Sequence, residues 1–188
     1  MINKFLNSER GYTLVELLAV MVVLITVGTI VAGIIVSSLR GSNRSRSVGD
    51  VRQAGNSALI QMSKTIEYAK SFDGISQTAD DANYITDCTA LAQIQYKYLK
   101  ITGFDNNQTV FACNDTNNLI SSNSADLVDS SSFLVDQCYF TCLQTNVSIP
   151  PTIGINFTVS FKPKNSSSTF VEDRVSQDFK ASAAFRNN

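Results

Sequence analysis

The segment from Gly11 to Val36 reads GYTLVELLAVMVVLITVGTIVAGIIV and decides the architecture of this 188-residue chain. From Leu14 onward it is apolar at nearly every position, and the charged exception is Glu16. As an α-helix, residues 14–36 would be about 35 Å long, enough to cross a bilayer core of about 30 Å. No small-residue cleavage site of the A-x-A type closes the run. The sequence therefore predicts a membrane helix that stays attached to the protein.

The residues in front of this helix form a short polar leader. They read MINKFLNSERG and include Lys4 and Arg10. Basic residues that flank a membrane span stay on the cytoplasmic side. We therefore expect residues 1–11 to be a cytoplasmic leader peptide. We then expect a single-pass protein of the inner (cytoplasmic) membrane, with residues 73–188 on the extracytoplasmic side.

Glu16 is the unusual residue of the apolar run. A carboxylate inside a membrane-length helix is costly unless it is paired, so such a residue is a functional candidate by default. Its partner would have to be a positive charge in the same apolar environment. On the residues alone, Glu16 is therefore a candidate functional residue that requires a partner.

The string GYTLVELL at 11–18 resembles the processing site of type IV prepilins and of the pseudopilins of type II secretion. The resemblance implies that a prepilin peptidase cuts after Gly11 and methylates the new amine on Tyr12. It also implies that Glu16, the fifth residue after the cut, pairs with the amine of a neighbouring subunit. Such a pair could set the axial register between helices, because each charge is costly alone and tolerable when paired.

The apolar helix departs from the pattern of many major pilins in one respect. Those proteins carry a proline midway along the helix, whereas this chain has no proline before Pro150. Gly28 and Gly33 occupy the region instead, and each weakens a helix by about 1 kcal/mol. The resemblance implies three partners, which are other pilin or pseudopilin subunits, the prepilin peptidase and the membrane.

A second helical pattern follows a basic stretch with Arg40, Arg44 and Arg46, which we interpret as solvated residues beside the membrane. Small and apolar residues between 48 and 70 then recur three and four positions apart. They are Val48, Val51, Gly55, Ala58, Leu59, Met62, Ile66 and Ala69. We expect this face to pack on the head. Asp73-Gly74 is predicted to stop the helix, which gives a helix over 12–72 and a head over 73–188.

The pattern from Asp73 onward is typical of β-structure. Strands are predicted at 94–102, 109–113, 119–120 (a short edge strand), 133–143, 153–162 and 175–186. The turn GFDNNQ joins the first two into a hairpin, and KNSSS at 164–168 is a loop. One helix followed by mainly antiparallel strands predicts an α+β, pilin-like fold with a long N-terminal helix packed on a β-rich head.

A looser resemblance concerns the rest of the chain. The helix RQAGNSALIQMSKTIEYAK (52–70), the sequence FTC (140–142) followed by PP (150–151) and INFTV (155–159), and the end DFKASAAFRN (178–187) are similar to J-type minor pseudopilins. Those proteins are thought to sit in a filament tip complex. The similarity implies that the chain is a minor subunit.

The composition excludes several other functions. The chain has no histidine, so the usual nucleophile–base pairs and the commonest zinc ligand are absent, and we expect no enzyme activity, no catalytic residue and no cofactor. A net charge of −1 offers no basic excess for a nucleic-acid backbone. The polar stretches at Asp80, Asp81 and Asp87 and at 105–107 lack EF-hand spacing, so we interpret them as solvated turns rather than a metal site.

Two functional hypotheses follow from these observations. The first is a minor structural subunit of a type IV pilus or a type II secretion pseudopilus. The alternative is a tip adhesin or a DNA-uptake minor pilin, which would use the same helix for assembly and its head for recognition. A basic, aromatic groove on the head would favour DNA binding, whereas a neutral or acidic head would count against it.

Four cysteines, Cys88, Cys113, Cys138 and Cys142, lie in the C-terminal half. If that half is exported, an even number predicts two disulfides. The predicted hairpin returns Cys113 toward the start of its partner strand, just after Cys88, so we favour Cys88–Cys113 and Cys138–Cys142. The second pair needs a turn, because residues four apart in a straight strand lie about 13 Å apart. If the segment stays extended, Cys138 and Cys142 must each pair with Cys88 or Cys113.

Overall fold

The computed structural model describes residues 12–89, 94–162 and 175–186. Gly11 and the predicted loop at 164–168 lie outside this range. The chain forms two compact units, residues 1–43 and residues 44–188. The first contains the beginning of the single long helix, and the second contains the remainder of that helix and every strand of the described chain.

Helix α1 extends over Leu14–Glu67, so the predicted end at Phe72 is wrong. The residues Asp73-Gly74, interpreted above as a helix stop, lie inside strand β1 (Ser71–Ser76). Gly74 has a φ of +135° next to a register shift in the pairing of β1. Such a backbone conformation suits glycine, which is why this glycine forms a β-bulge rather than a helix end.

Within the second unit, α1 buries the periodic stripe that the sequence shows. Its buried residues are Val51, Gly55, Ala58, Met62 and Ile66. Ala69, just beyond the helix, is buried as well. The spacing of three and four residues places all of them on one helical face, which packs against the strands.

The first of two antiparallel sheets contains five strands that are neighbours in sequence order. They are β1, β2 (Tyr98–Thr102), β3 (Gln108–Asn114), β4 (Leu119–Ser122) and β5 (Ala125–Asp126). The predicted hairpin is present as β2–β3, although β2 begins at Tyr98 rather than Ile94. β4 is paired on both sides, so it is not an edge strand as predicted. Strand β1 has no counterpart among the predicted strands.

The second sheet has three strands in the order β6, β7, β8. They are β6 (Phe133–Leu143), β7 (Thr152–Phe161) and β8 (Ser176–Ala184). These bounds lie within two residues of the predicted strands at 133–143, 153–162 and 175–186. The two sheets meet along β6, where the Val135 N–H donates to the Asn118 carbonyl at 2.8 Å and Tyr96 forms an antiparallel bridge with Phe140.

The core of the second unit lies between the helix face and the two sheets. β7 alternates strictly, with Ile153, Ile155, Phe157 and Val159 buried and the residues between them partly exposed. This alternation of period two is the pattern of a strand with one face in the core. One long helix packed on antiparallel sheets confirms the predicted α+β fold.

Candidate functional site

The N-terminus of α1 carries the residues of the predicted processing and assembly site. Tyr12 is exposed and immediately precedes Thr13, whose hydroxyl accepts a hydrogen bond from the Glu16 backbone N–H at 3.3 Å. Thr13 is therefore the N-cap and Glu16 the third residue of the helix. Threonine followed three residues later by glutamate is the spacing of a capping box. The role of Thr13 is not among the sequence predictions, although this spacing indicates it.

Glu16 lies on an exposed helix surface. A carboxylate in the first helical turn interacts favourably with the positive end of the helix dipole. The ion pairs of the described residues are Lys97–Asp115 and Lys100–Asp81, so no cation of the described chain neutralises Glu16. Its carboxylate is available to a positive group on another molecule.

The first half of α1 is apolar on all sides. Every residue from Tyr12 to Arg46 is exposed in the isolated chain, including large side chains such as Leu14, Ile25 and Ile34. Among the described residues, α1 is the one helix that is long and apolar enough to cross a membrane. Such a helix requires an apolar environment from lipid or from other helices.

A close approach between helix and sheet depends on Gly55. A side-chain Cβ at this position would lie 2.7 Å from Cδ2 of Phe179 on β8, and closer still to the ring atoms Cε2 and Cζ. The Phe179 ring in turn stacks on Phe157 of β7, with centroids 5.4 Å apart and 19° between the planes. The missing side chain thus lets a buried aromatic pair contact the helix backbone.

The C-terminal end of α1 is attached to the head through several hydrogen bonds. The Arg186 backbone N–H donates to the Glu67 carbonyl at 3.0 Å, and the Arg186 guanidinium donates to the Tyr68 hydroxyl at 3.3 Å. The Lys70 N–H donates to the Thr102 carbonyl at 2.8 Å. The first of these bonds satisfies one of the terminal carbonyls that a helix leaves without an internal partner.

All four cysteines form disulfides, but not in the favoured pairing. The bonds are Cys88–Cys142 and Cys113–Cys138, so the favoured Cys88–Cys113 and Cys138–Cys142 connectivity is wrong. The reason is that both Cys138 and Cys142 belong to the extended strand β6, so they cannot reach each other. The alternative stated above, in which each pairs with Cys88 or Cys113, is the one that the structure adopts.

A bulge in β6 aims both cysteines inward. The register of β6 on β7 shifts between Asp136 and Tyr139, and Gln137 has a φ of +49°. Val135 is buried before the shift, and Cys138 and Cys142 are buried after it. In a regular strand Val135 and Cys138 would face opposite sides, so the extra residue at the bulge is what brings the cysteines to the core.

Three aspartates accept hydrogen bonds within exposed turns, which we call the Asx turns (Asp87, Asp105 and Asp129). Thr89 donates to the Asp87 carboxylate, and Asn107 donates to the Asp105 carboxylate. In both turns the backbone N–H is the main cause of a lowered pKa of the aspartate, and the side chain of the donor residue is the second. At Asp129 the hydroxyl of Ser131 is the main donor that lowers the pKa. In the described part of the chain, no group of three or more acidic, histidine or cysteine side chains could hold a metal ion.

No protein-family model, no curated protein and no solved structure matches this chain significantly. The class that the fold defines is an α+β protein in which a long N-terminal helix, apolar in its first half, packs its second half on an antiparallel, disulfide-linked head.

Proposed function

We propose that this chain is a minor structural subunit of a type IV pilus or of a type II secretion pseudopilus. The observation that carries the proposal is the string GYTLVELL at 11–18, followed at once by an exposed apolar helix that continues into the head as a buried stripe. One helix thus provides a surface for lipid or for other helices and also a firm attachment for the head. A filament subunit needs both.

The chemistry at the start of α1 supports assembly by charge pairing. Cleavage after Gly11 would leave a free amine on Tyr12, four residues before the exposed carboxylate of Glu16. In an apolar surrounding, an amine and a carboxylate that are each unpaired are costly, and a pair between neighbouring subunits removes both costs. A neighbouring subunit displaced along the helix axis would lose this charge pair, so the pair selects one register between the two helices.

Before assembly the chain would be a single-pass protein of the inner membrane with its leader in the cytoplasm. After cleavage by the prepilin peptidase it would join an extracytoplasmic filament. The disulfides of the head agree with an oxidising compartment outside the cytoplasm.

The charge of the head opposes the DNA-uptake alternative. Residues 73–188 contain 12 Asp and Glu against 7 Lys and Arg, a net charge of −5. An acidic domain repels a phosphate backbone, because binding to nucleic acid draws most of its affinity from Lys and Arg. The structural role is therefore the better supported of the two.

The N-terminus of the mature protein tests the proposal. Mass spectrometry of the chain purified from its native cells should show Tyr12 as the first residue, with a methylated amine. Gly11→Phe should block this cleavage, because a bulky side chain replaces the hydrogen atom next to the cut. An intact Met1 in the wild-type protein would refute the assignment.

The assembly role of Glu16 is tested by recovery in sheared filaments. Glu16→Ala should reduce recovery by about tenfold while membrane insertion persists, because the helix becomes a better membrane span without its charge. Thr29→Ala is the matched control, since it also removes a polar group from the exposed apolar helix and should leave recovery unchanged. Equal recovery of Glu16→Ala and wild type would remove the pairing argument.

A further inference from the structure

One loop of the head exposes three large apolar side chains. The second unit has eight such side chains among its described residues, and three of them belong to the β6–β7 connection, counted from Leu143, the last residue of β6. Leu143, Val147 and Ile149 are 61%, 65% and 55% exposed. Single exposed apolar residues need no explanation, but a group of them on one loop marks a contact surface.

Two further isoleucines lie beside this loop. The isolated antiparallel bridge between Tyr96 and Phe140 sets the Tyr96 segment beside β6. Ile94, two residues before Tyr96, therefore lies near the strand that leads into the loop. Ile94 also lines a groove of about 360 Å³ together with Tyr96 and Ile85. Ile85 and Ile94 are both exposed.

These five side chains form what we call the apolar patch. They are Ile85, Ile94, Leu143, Val147 and Ile149. Three of the five residues lie in the segment 137–161, which contains no Asp, Glu, Lys or Arg, although the head as a whole has a net charge of −5. The groove is also lined by uncharged residues throughout.

The loop of the patch is held in a defined conformation. The Gln144 side chain, only 8% exposed, accepts a hydrogen bond from the Cys88 N–H at 2.8 Å and donates one to the Ile149 carbonyl at 2.8 Å. The Cys88–Cys142 disulfide also anchors the β6 end of the loop to the segment of Cys88. Gln144 is thus a positioning residue. A loop ordered in advance loses little conformational entropy when it binds, which favours a role in recognition.

We propose that the apolar patch is the surface through which this head contacts the head of the adjacent subunit in a filament. The proposal rests on the proposed function and names the partner surface of the same assembly, namely an uncharged, apolar face of a neighbouring head. Two observations select this partner, the area of the patch and its charge.

The area of the apolar patch suits a contact with a partner that the helices already hold beside it. The exposed parts of the five side chains amount to on the order of 400 Å², a typical size for a functional patch. A stable complex between free proteins needs about 800 Å² from each partner. The patch is therefore too small to capture a protein from solution, but it suffices for a neighbour that the helices hold at high local concentration.

The charge argues against a lipid surface. Segments that bind anionic membranes carry Lys or Arg beside their apolar residues, and the loop has none. The acidic head would also be repelled by anionic lipid. Two acidic heads, in contrast, repel each other least where the surfaces that face each other carry no charge, as at this patch.

A photo-crosslinking amino acid at Val147 tests the proposal in native cells that produce the full chain. We expect light-dependent adducts with a filament subunit. The matched control is the same amino acid at Phe104, which is similarly exposed (61%, against 65% for Val147) but lies on the β2–β3 turn, and it should give no such adduct. Adducts with lipid alone, or none above the Phe104 background, would overturn the proposal.

Substitutions give a second readout. Val147→Asp should reduce recovery in sheared filaments by about tenfold, because it places an unpaired charge in the contact. Phe104→Asp should not, and both variants should keep the melting temperature of the wild type within about 2 °C, since exposed positions contribute little to stability.

The two proposals fail in different ways. If wild-type chain starting at Tyr12 is present in filaments and Val147→Asp is recovered equally, the patch assignment is wrong and the filament role stands. If the wild-type chain is neither processed to Tyr12 nor found in filaments, both proposals are wrong.

Discussion

Replacing Gly55 with alanine probes the contact that attaches the helix to the second sheet. The added methyl group would lie 2.7 Å from Cδ2 of the Phe179 ring and closer to two other ring atoms, so the ring or the helix must shift. The ring cannot move freely, because it is buried and stacked on Phe157 at 5.4 Å. We therefore expect a destabilised head.

Two opposing terms set the magnitude. Alanine is favoured over glycine inside a helix by about 1 kcal/mol. Overpacking a well-packed core costs about 1–3 kcal/mol, and the overlap at Gly55 involves three atoms of a constrained ring, so the upper part of that range applies. The net expectation is a loss of about 1–2 kcal/mol in the free energy of unfolding, or a melting temperature lower by about 5 °C.

The assay is thermal unfolding of the full-length chain in detergent, followed by circular dichroism. Gly49→Ala is the matched control on the same helix, because a Cβ there would meet no atom within 4 Å. It should gain up to about 1 kcal/mol from helix propensity alone. The two substitutions are chemically identical, so their difference isolates the contact with Phe179.

A double-mutant cycle with Phe179→Leu completes the test. A smaller, flexible side chain opposite Gly55 should relieve at least about 0.5 kcal/mol of the cost of Gly55→Ala, which is the coupling expected of residues in contact. If Gly55→Ala is as stable as Gly49→Ala, or if its cost is unchanged by Phe179→Leu, the reasoning is refuted.

Three further predictions concern the head. Non-reducing peptide mapping should link Cys88 to Cys142, and replacing both by serine should cost about 4 kcal/mol, because the bond closes a loop with a sequence separation of 54; a Cys88 peptide linked to any other cysteine would contradict it. Gln144→Ala should lower the free energy of unfolding by about 1–3 kcal/mol, because the buried Cys88 N–H loses its acceptor; chemical denaturation measures this, and an unchanged midpoint would show that water replaces the amide. Folding lowers the pKa values of the Asx-turn aspartates, so these carboxylates stabilise the folded head fully at pH values above the unfolded pKa of about 3.9, and this stabilisation is lost as the pH falls through the folded pKa values. The melting temperature should therefore decline below about pH 4. A decline that already begins near pH 6 would show that other groups are responsible.

The sequence by itself determined the features that depend on local periodicity. The run at 14–36 is apolar on every side of a helix, the stripe at 48–70 repeats every three or four residues, and β7 alternates with period two. Each pattern follows from the repeat of one element and needs no knowledge of its neighbours. This is why the α+β fold and the strands of the second sheet could be predicted.

Only the tertiary structure decided features that involve two distant segments. Asp73-Gly74 has the composition of a helix stop, but pairing of β1 with β2 makes it a bulge. The bulge at Gln137 reverses the facing of the rest of β6, and this reversal turns both Cys138 and Cys142 toward the core. A one-residue shift carries no composition signal, yet it moves every later side chain to the other face of the sheet.

The surface of the head was likewise decided by tertiary structure. The sequence shows that Leu143, Val147 and Ile149 are apolar, which would equally suit a core position. In the folded head they are exposed, whereas Gln144 is buried and bonds to Cys88, a residue 56 positions away along the chain. The sequence shows only which residues are apolar enough to be buried. Which of them are buried depends on the segments that the fold brings together.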